Sequence, residues 1–505
     1  MYRVDPKEAV LSHLNQPNDR AGEALSARAE ALMRAHVEPG WSHKVISGVA
    51  QLAEAAMLLV VGFAIYLYYV GWAAPQIYVP LMLGTVLSAN IAFNIARTHR
   101  IVSYRTQFKQ ILRVLFGWSS VFLIIVAGLF VMKAGEEISR VWLTSWLLAG
   151  AVALIAYRLA LRALVLTWSE QGKLKRRTVV VGGGPDAEAL IANISRGATN
   201  DIELIGLFDD REGDRSPDQV AGLYKLGRVA DLVEFARRAR IDLVIVSMPL
   251  SAESRVLEML RQLWVLPVDI RLSAHMSKLR FTDKTYSYVG DLPVFDMADR
   301  PISDWNLVFK WVFDKVVALS AIIALSPIMI GTALAVRFTS KGPVLFKQKR
   351  HGFNNELIEI YKFRSMYTDM SDAKAATLVT RDDPRVTPVG RFIRKTSIDE
   401  LPQLFNVLKG QLSIVGPRPH ALEAKAANRL YHDAVDGYFA RHKVKPGITG
   451  WAQIHGWRGE TDTVDKIMKR VDHDLYYIEN WSIVLDLYIL VMTPVSLFTK
   501  TENAF

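Results

Sequence analysis

Two adjacent carboxylates, Asp399 and Glu400, lie in Arg391-Phe-Ile-Arg-Lys-Thr-Ser-Ile-Asp-Glu-Leu-Pro-Gln403, behind a basic run of Arg391, Arg394 and Lys395. Cations just upstream suit a phosphorylated substrate. An adjacent acid pair suits one carboxylate that attacks and one that holds a metal. Neighbours on a helix point about 100° apart, which argues against one shared task. Ser397 and Glu400 also match the S-x-x-E capping box of a helix start, the commoner use of such a pattern. Pro402 removes an early helix hydrogen bond and favours a kink or a later start. Either way the pair falls near a helix N-terminus, whose positive end is expected to keep Asp399 ionised and to favour a phosphate nearby.

Several segments must fold around this pair. Residues 344–363 read as two short strands joined by the turn His351-Gly-Phe-Asn-Asn355. Lys362 and Arg364 fall at alternate positions there and so share a face, as candidates for phosphate or a lipid headgroup. Residues 410–415 lead into Gly416-Pro-Arg-Pro419, a stiff loop able to hold Arg418 in one place. Arg394 and Arg418 are the candidate bidentate phosphate ligands. His351, His420 and His455 lack metal-ligand spacing and read as structural or substrate-lining, so zinc is not nominated. Residues 476–498 carry few charges and read as an amphipathic helix along a membrane face, with Asp486 arguing against a full crossing.

The 505 residues exceed one ordinary domain, and with 51% apolar residues and a mean hydropathy of +0.16 the chain is expected to contain membrane segments. The net charge of +11 fits a surface that meets anionic lipid or phosphates; no RNA or DNA module supports a nucleic-acid partner. Having no cysteine, the chain has no disulfides, thiolate metal sites or Cys nucleophile. Residues 1–44 are polar and read as a mobile or loosely helical cytosolic lead-in. Apolar runs over 45–72, 77–96, 115–132 and 141–161 each approach the ~20 residues that cross a bilayer and form a four-helix block over 45–165. Glu54 interrupts the first run near its start and reads as interfacial. Basic residues gather between runs two and three and after run four, which places both ends of the block in the cytosol.

Residues 176–295 then read as a Rossmann-like α/β domain. The strand Thr178-Val-Val-Val181 ends in Gly182-x-Gly184-x-x-Ala187, a helical pattern follows, and the acidic Asp209 comes ~20 residues further on. Gly182 and Gly184 are therefore candidate nucleotide-binding positions, although Pro185 removes one amide from the turn. Residues 281–302 read as the linker out of this domain. A fifth apolar run, 316–336, has Ser326-Pro327 at its centre and basic residues on both flanks, which suits a hairpin entering and leaving by one face. An ordinary kinked crossing is the other reading.

Thr-Ser-Ile-Asp-Glu-Leu-Pro-Gln403 resembles the signature of the bacterial sugar transferases that load a hexose-1-phosphate onto polyprenyl phosphate, the monotopic phosphoglycosyl transferases. Gly342-Pro-Val-Leu-Phe-Lys-Gln-Lys-Arg350, Tyr361-Lys-Phe-Arg-Ser-Met366, Ser413-Ile-Val-Gly-Pro-Arg-Pro419 and Lys445-Pro-Gly-Ile-Thr-Gly-Trp-Ala-Gln453 agree with it, in order. The family usually has Leu where this chain has Ile398. The resemblance implies a catalytic domain over 305–505, mixed α/β and anchored by a re-entrant helix at 316–336 with Ser326 and Pro327 at the bend. The four-helix block and Rossmann-like domain resemble the N-terminal half of larger members.

The resemblance further implies that Asp399 attacks the sugar-bearing phosphorus of a UDP-sugar, forming an aspartyl phosphosugar and releasing UMP. Glu400 would hold Mg²⁺, and undecaprenyl phosphate would accept the sugar phosphate. The run Ile454-His-Gly-Trp-Arg-Gly-Glu-Thr461 resembles the glucose-1-phosphate transferases that start exopolysaccharide or capsule synthesis, with galactose as the second sugar. A bacterial inner-membrane location with the catalytic domain facing the cytosol follows from the same resemblance. A homodimer is expected from the amount of non-catalytic domain. Two other classes compete. A membrane-anchored NAD-dependent dehydratase or epimerase needs a Tyr-x-x-x-Lys pair, and no tyrosine here has Lys four residues later. A non-enzymatic scaffold is disfavoured by the intact acid pair.

Overall fold

The computed structural model describes residues 26–499 except 35–39, 73, 97, 100–103, 105–106, 132, 134–135, 197–200, 212–216, 249–252, 274–286, 290–291, 371–382, 421–424, 427–428, 432–434, 436–437 and 458–462. Most of the expected lead-in, three arginines of the loop after the second apolar run (Arg97, Arg100 and Arg105) and part of the 454–461 run lie outside the described residues. The chain divides into two compact units. One is Val37–Arg176 with Gly197–Glu203, and the other holds the remaining described residues.

Within the lead-in, Ala27–Arg34 is a helix, α1, that belongs with the second unit. The four apolar runs fold as α2 (His43–Tyr69), α3 (Pro75–Ile95), α4 (Gln107–Val131) and α5 (Arg140–Glu170), each long and apolar enough to cross a membrane. In hydrocarbon a helix satisfies every backbone polar group internally, so these runs have no better form. Trp118, Trp142 and Trp146 fill the centre of the block. The Trp146 and Trp142 indoles donate to Leu58 O at 3.0 Å and Gly62 O at 3.1 Å. A Cβ on Gly62 would fall 2.5 Å from the Trp146 ring, so glycine alone permits this approach. Glu54 faces the interior of the block. It is buried at 2% exposure, with Arg158 Nη2 2.7 Å from Oε2 and 2.8 Å from Oε1, and His99 Nε2 2.7 Å from Oε2. A charge this deep is stable only when paired, and Arg158 supplies the pair.

The sheet domain follows as β1 (Arg176–Val181), α6 (Pro185–Arg196), β2 (Ile202–Phe208), β3 (Gln219–Val220), β4 (Leu223–Gly227), α7 (Val229–Arg238), β5 (Leu243–Val246), α8 (Glu253–Leu263), β6 (Asp269–Ser273), β7 (Ser287–Val289) and β8 (Leu292–Ala298). Its eight strands run in the order β3-β4-β2-β1-β5-β6-β8-β7. β5 lies parallel to β1 and β6, and its four residues are all buried, as expected of a strand covered on both faces. Residues that read as a linker form β7 and β8 instead, an antiparallel pair laid against β6. Ala29 of α1 joins the core of this domain with Phe235 and Leu232 of α7.

α9 (Asp304–Thr339) starts the last domain, and helix is assigned throughout it, including Pro327. Ser326 Oγ donates to Ile323 O at 2.8 Å, satisfying a carbonyl beside the proline. The antiparallel strands β9 (Leu345–His351) and β10 (Leu357–Phe363) come next, then α10 (Pro388–Lys395) and α11 (Gln403–Lys409). β11 (Ser413–Val415), β12 (Lys425–Ala426), β13 (Arg429–Leu430), β14 (Gly447–Thr449), α12 (Trp451–Ile454), α13 (Val464–Glu479) and α14 (Ile483–Thr499) complete it. The N-terminal half of α9 packs through Ala318 on Leu404 and Val407 of α11, and the C-terminal half through Met329 and Val336 on Phe363 and Ile393.

Candidate active site

Asp399 and Glu400 sit in a 3-10 turn, Ile398–Glu400, just before α11. No capping box forms: Ser397 takes a left-handed φ of 58° and makes no side-chain cap bond. Glu400 turns inward instead. Arg418 Nη2 is 2.6 Å from its Oε1 and Nη1 3.2 Å from Oε2, and Lys362 Nζ is 2.9 Å from Oε1. Burial opposes ionisation of Glu400, yet Arg418 and Lys362 outweigh it and hold the carboxyl well below the usual range. Asp399 behaves oppositely. Burial pushes it up to about 6, against the pull of Lys362 and with the neighbouring Glu400 charge adding to the rise. Among the described residues none hydrogen-bonds the Asp399 carboxylate.

The loop bearing Arg418 is fixed by its own carbonyls. Val415 O accepts from Lys310 Nζ at 2.8 Å and from Tyr477 Oη at 3.0 Å. Pro417 O accepts from Gly447 N at 2.9 Å, Arg418 O from Arg441 Nη2 at 2.7 Å and Pro419 O from Arg350 Nη1 at 2.7 Å. A Cβ on Gly447 would fall 2.1 Å from Gly416 N, so glycine is what lets β14 close on the loop. Behind this, Asp486 is fully buried and accepts from Lys310 at 2.6 Å and Tyr477 at 2.7 Å, while Asp314 accepts from Ser413 Oγ at 2.9 Å and Ile414 N at 3.0 Å. These bonds tie α9, α13 and α14 to the strand that feeds the loop.

The four candidate phosphate ligands separate. Lys362 and Arg418 meet at Glu400. Arg394 is exposed on α10, and its charge lowers the Asp399 pKa. Lys362 and Arg364 have different partners: Lys362 reaches Glu400, and Arg364 turns to the end of α9. Its buried guanidinium donates to Ser340 O at 2.7 Å and Lys341 O at 2.9 Å, closing the end of α9. Sequence reasoning missed Arg350, Arg441, Lys310 and Tyr477. Of their partners, Asp486 was visible as a lone acid in an apolar stretch. His420 is buried and donates or accepts with Tyr438 Oη at 2.7 Å, a packing role.

Among the described residues no three His, Cys, Asp or Glu side chains are grouped to hold a metal. Magnesium commonly takes one or two carboxylates and fills the remaining positions with water and substrate phosphate, which the adjacent pair fits. In the sheet domain, Asp209 Oδ2 accepts from Gly183 N at 2.7 Å, and Arg211 Nη2 donates to Gly183 O at 2.7 Å. Burial opposes the Asp209 charge, but Arg211 and the Gly183 amide hold its carboxyl below the usual range. Between Gly182 and Gly184, both the amide and the carbonyl of Gly183 are thus engaged by the chain's own side chains.

Residues 305–500 match the bacterial sugar transferase family, and residues 95–274 match a CoA-binding domain family. The undecaprenyl-phosphate glucose phosphotransferase of Komagataeibacter xylinus is 42% identical over 64% of this chain, a match that spans 59% of that relative's length. The UDP-glucose:undecaprenyl-phosphate glucose-1-phosphate transferase of Xanthomonas campestris pv. campestris is 32% identical over 88% of this chain and 92% of its own. A UDP-N-acetylgalactosamine-undecaprenyl-phosphate N-acetylgalactosaminephosphotransferase of Aeromonas hydrophila is 44% identical over 37% of this chain and 43% of its own.

Proposed function

Because the chain belongs to the bacterial sugar transferase family and is an enzyme of the undecaprenyl-phosphate glucose phosphotransferase kind, we propose that it moves glucose-1-phosphate from UDP-glucose to undecaprenyl phosphate by way of a covalent intermediate on Asp399. The observation that carries this is the split between the two acids. Glu400 is ionised and gripped by two cations, while Asp399 beside it is raised to about 6 and unbonded among the described residues.

Asp399 attacks the β-phosphorus, the bond to the bridging oxygen breaks, and UMP leaves with that oxygen. Undecaprenyl phosphate then attacks the same phosphorus, the acyl phosphate bond breaks, and the Asp399 carboxylate is regenerated. Dividing the transfer this way suits a second substrate that arrives from the bilayer. Arg418 and Lys362 place positive charge where the diphosphate must lie, and Arg394 adds charge from outside. Glu400 would hold Mg²⁺, which when bound would neutralise diphosphate charge.

α9 is the re-entrant anchor, with its bend at Ser326 and Pro327. Both of its halves pack on one catalytic domain, which supports entry and return by the same membrane face. That face is the cytosolic side of the bacterial inner membrane, where nucleotide sugars occur. The reaction starts exopolysaccharide or capsule assembly. The N-acetylgalactosamine relative supports a second reading in the sugar alone. The test is turnover of purified protein with Mg²⁺, undecaprenyl phosphate and each UDP-sugar. UMP release with UDP-glucose is expected; release only with a galactose-type donor corrects the sugar, and none with any donor removes the activity.

A further inference from the structure

Two carbonyls of the Arg418 loop are held by guanidinium groups from other elements, Arg441 on Arg418 O and Arg350 on Pro419 O, each at 2.7 Å. Arg441 is anchored from behind by Asp474, Nη2 to Oδ2 2.6 Å, and Arg350 by Gln348 Oε1 at 2.7 Å. Arg441 lies in the 3-10 turn Tyr438–Lys443 and Arg350 on β9, and the stacked rings of His351 and His442, 5.6 Å apart, join the two elements.

The far ends of both elements touch the sheet domain. Asn354, in the β9–β10 turn, donates through Nδ2 to Ala236 O of α7 at 3.0 Å. Arg237 lies 4.9 Å over the Phe439 ring, and Lys443 Nζ 4.1 Å over the Trp264 ring, just past α8. Burial takes Lys443 down to about 7, so this contact is desolvated.

We propose that Arg350 and Arg441 are positioning residues for Arg418, and that the sheet domain braces both through Ala236, Arg237 and Trp264, so that its docking sets the Arg418–Glu400 clasp. The inference rests on Asp399 and Glu400 being the reacting pair.

The test uses the full chain in lipid nanodiscs, with the double variant Arg237→Ala/Trp264→Ala, the conservative Trp264→Phe, and Asn354→Gly, which deletes one amide and keeps the turn. Hydrogen–deuterium exchange over residues 413–418 and kcat and KM, each separately, are read. The double variant is expected to exchange faster over 413–418 and to lose about five- to tenfold in kcat/KM. Trp264→Phe keeps a ring face for Lys443 and should restore both readouts. If the double variant does not fold, Asn354→Gly is expected to give the same changes at smaller size. Unchanged exchange over 413–418, or an unchanged kcat/KM in active protein, overturns the proposal even if thermal stability falls. A wild type that turns over no UDP-sugar sinks the activity reading separately, and exchange still decides the bracing.

Discussion

Arg418 grips both oxygens of Glu400, with Nη2 2.6 Å from Oε1 and Nη1 3.2 Å from Oε2. Lys362 adds a third bond to the same carboxylate, at 2.9 Å. One residue away, Asp399 has no hydrogen-bond partner among the described residues. Two chemically similar neighbours thus receive opposite environments, which is how one fold assigns them separate tasks.

The clasp needs a planar fork. Lysine at 418 would supply one point charge and could not bond both oxygens. Arg418→Lys is expected to lower kcat/KM about 10- to 100-fold, with the protein still folded. Steady-state UMP release checks it.

The nucleophile must be ionised, and Asp399 titrates at about 6. Activity should therefore rise with pH through about 6 and level off above 7. Arg418→Ala removes a charge that lowers the Asp399 pKa, so its acid limb should lie higher than that of the wild type. A kcat/KM profile from pH 5 to 8 reads both.

Stability should run the other way. The folded pKa of Asp399 is raised above the unfolded carboxylate value of about 3.9. Its contribution is fully present below that unfolded value and is lost as pH rises through about 6. Asp399→Asn removes the buried charge, so it should raise Tm at pH 7.5 by about 2–4 °C and by less at pH 4. Thermal unfolding in detergent at the two pH values checks it.

Glu54 and Arg158 form a buried pair inside the helical block. Glu54→Gln leaves the Arg158 guanidinium without its counter-charge and should cost about 3–5 kcal/mol. Replacing both by leucine should cost less than Glu54→Gln alone. Chemical unfolding of the two variants measures the difference.

Glu400→Gln should raise the Mg²⁺ concentration needed for half-maximal activity by about tenfold, beyond any fall in kcat. Titrating Mg²⁺ into EDTA-treated protein checks this. An unchanged midpoint would remove Glu400 from the metal.

The helical block and the central strands were legible because apolar length and β-branched runs are local signals. So was the acid pair with Arg418, since a proline-flanked loop and adjacent carboxylates stand out in a chain. The contacts of Arg364 were not legible because their carbonyls, on Ser340 and Lys341, lie 24 and 23 residues back along the chain. Arg350 and Arg441 carry no local signal: each acts on a carbonyl that is 69 or 23 residues away along the chain. The β7–β8 pair read as linker because Pro293 and short strands mimic one, and only the exposed edge of β6 selects the pairing. The pairing of Glu54 was not legible because its partner, Arg158, lies 104 residues on.

The most direct measurement incubates the protein with Mg²⁺ and UDP-glucose labelled in the β-phosphate or in the sugar, with no lipid acceptor. The account predicts that both labels attach to the protein with near-stoichiometric UMP release, that undecaprenyl phosphate discharges them, and that Asp399→Asn abolishes attachment. Full turnover to the lipid product with no protein-bound label, or an adduct that survives in Asp399→Asn, would contradict it.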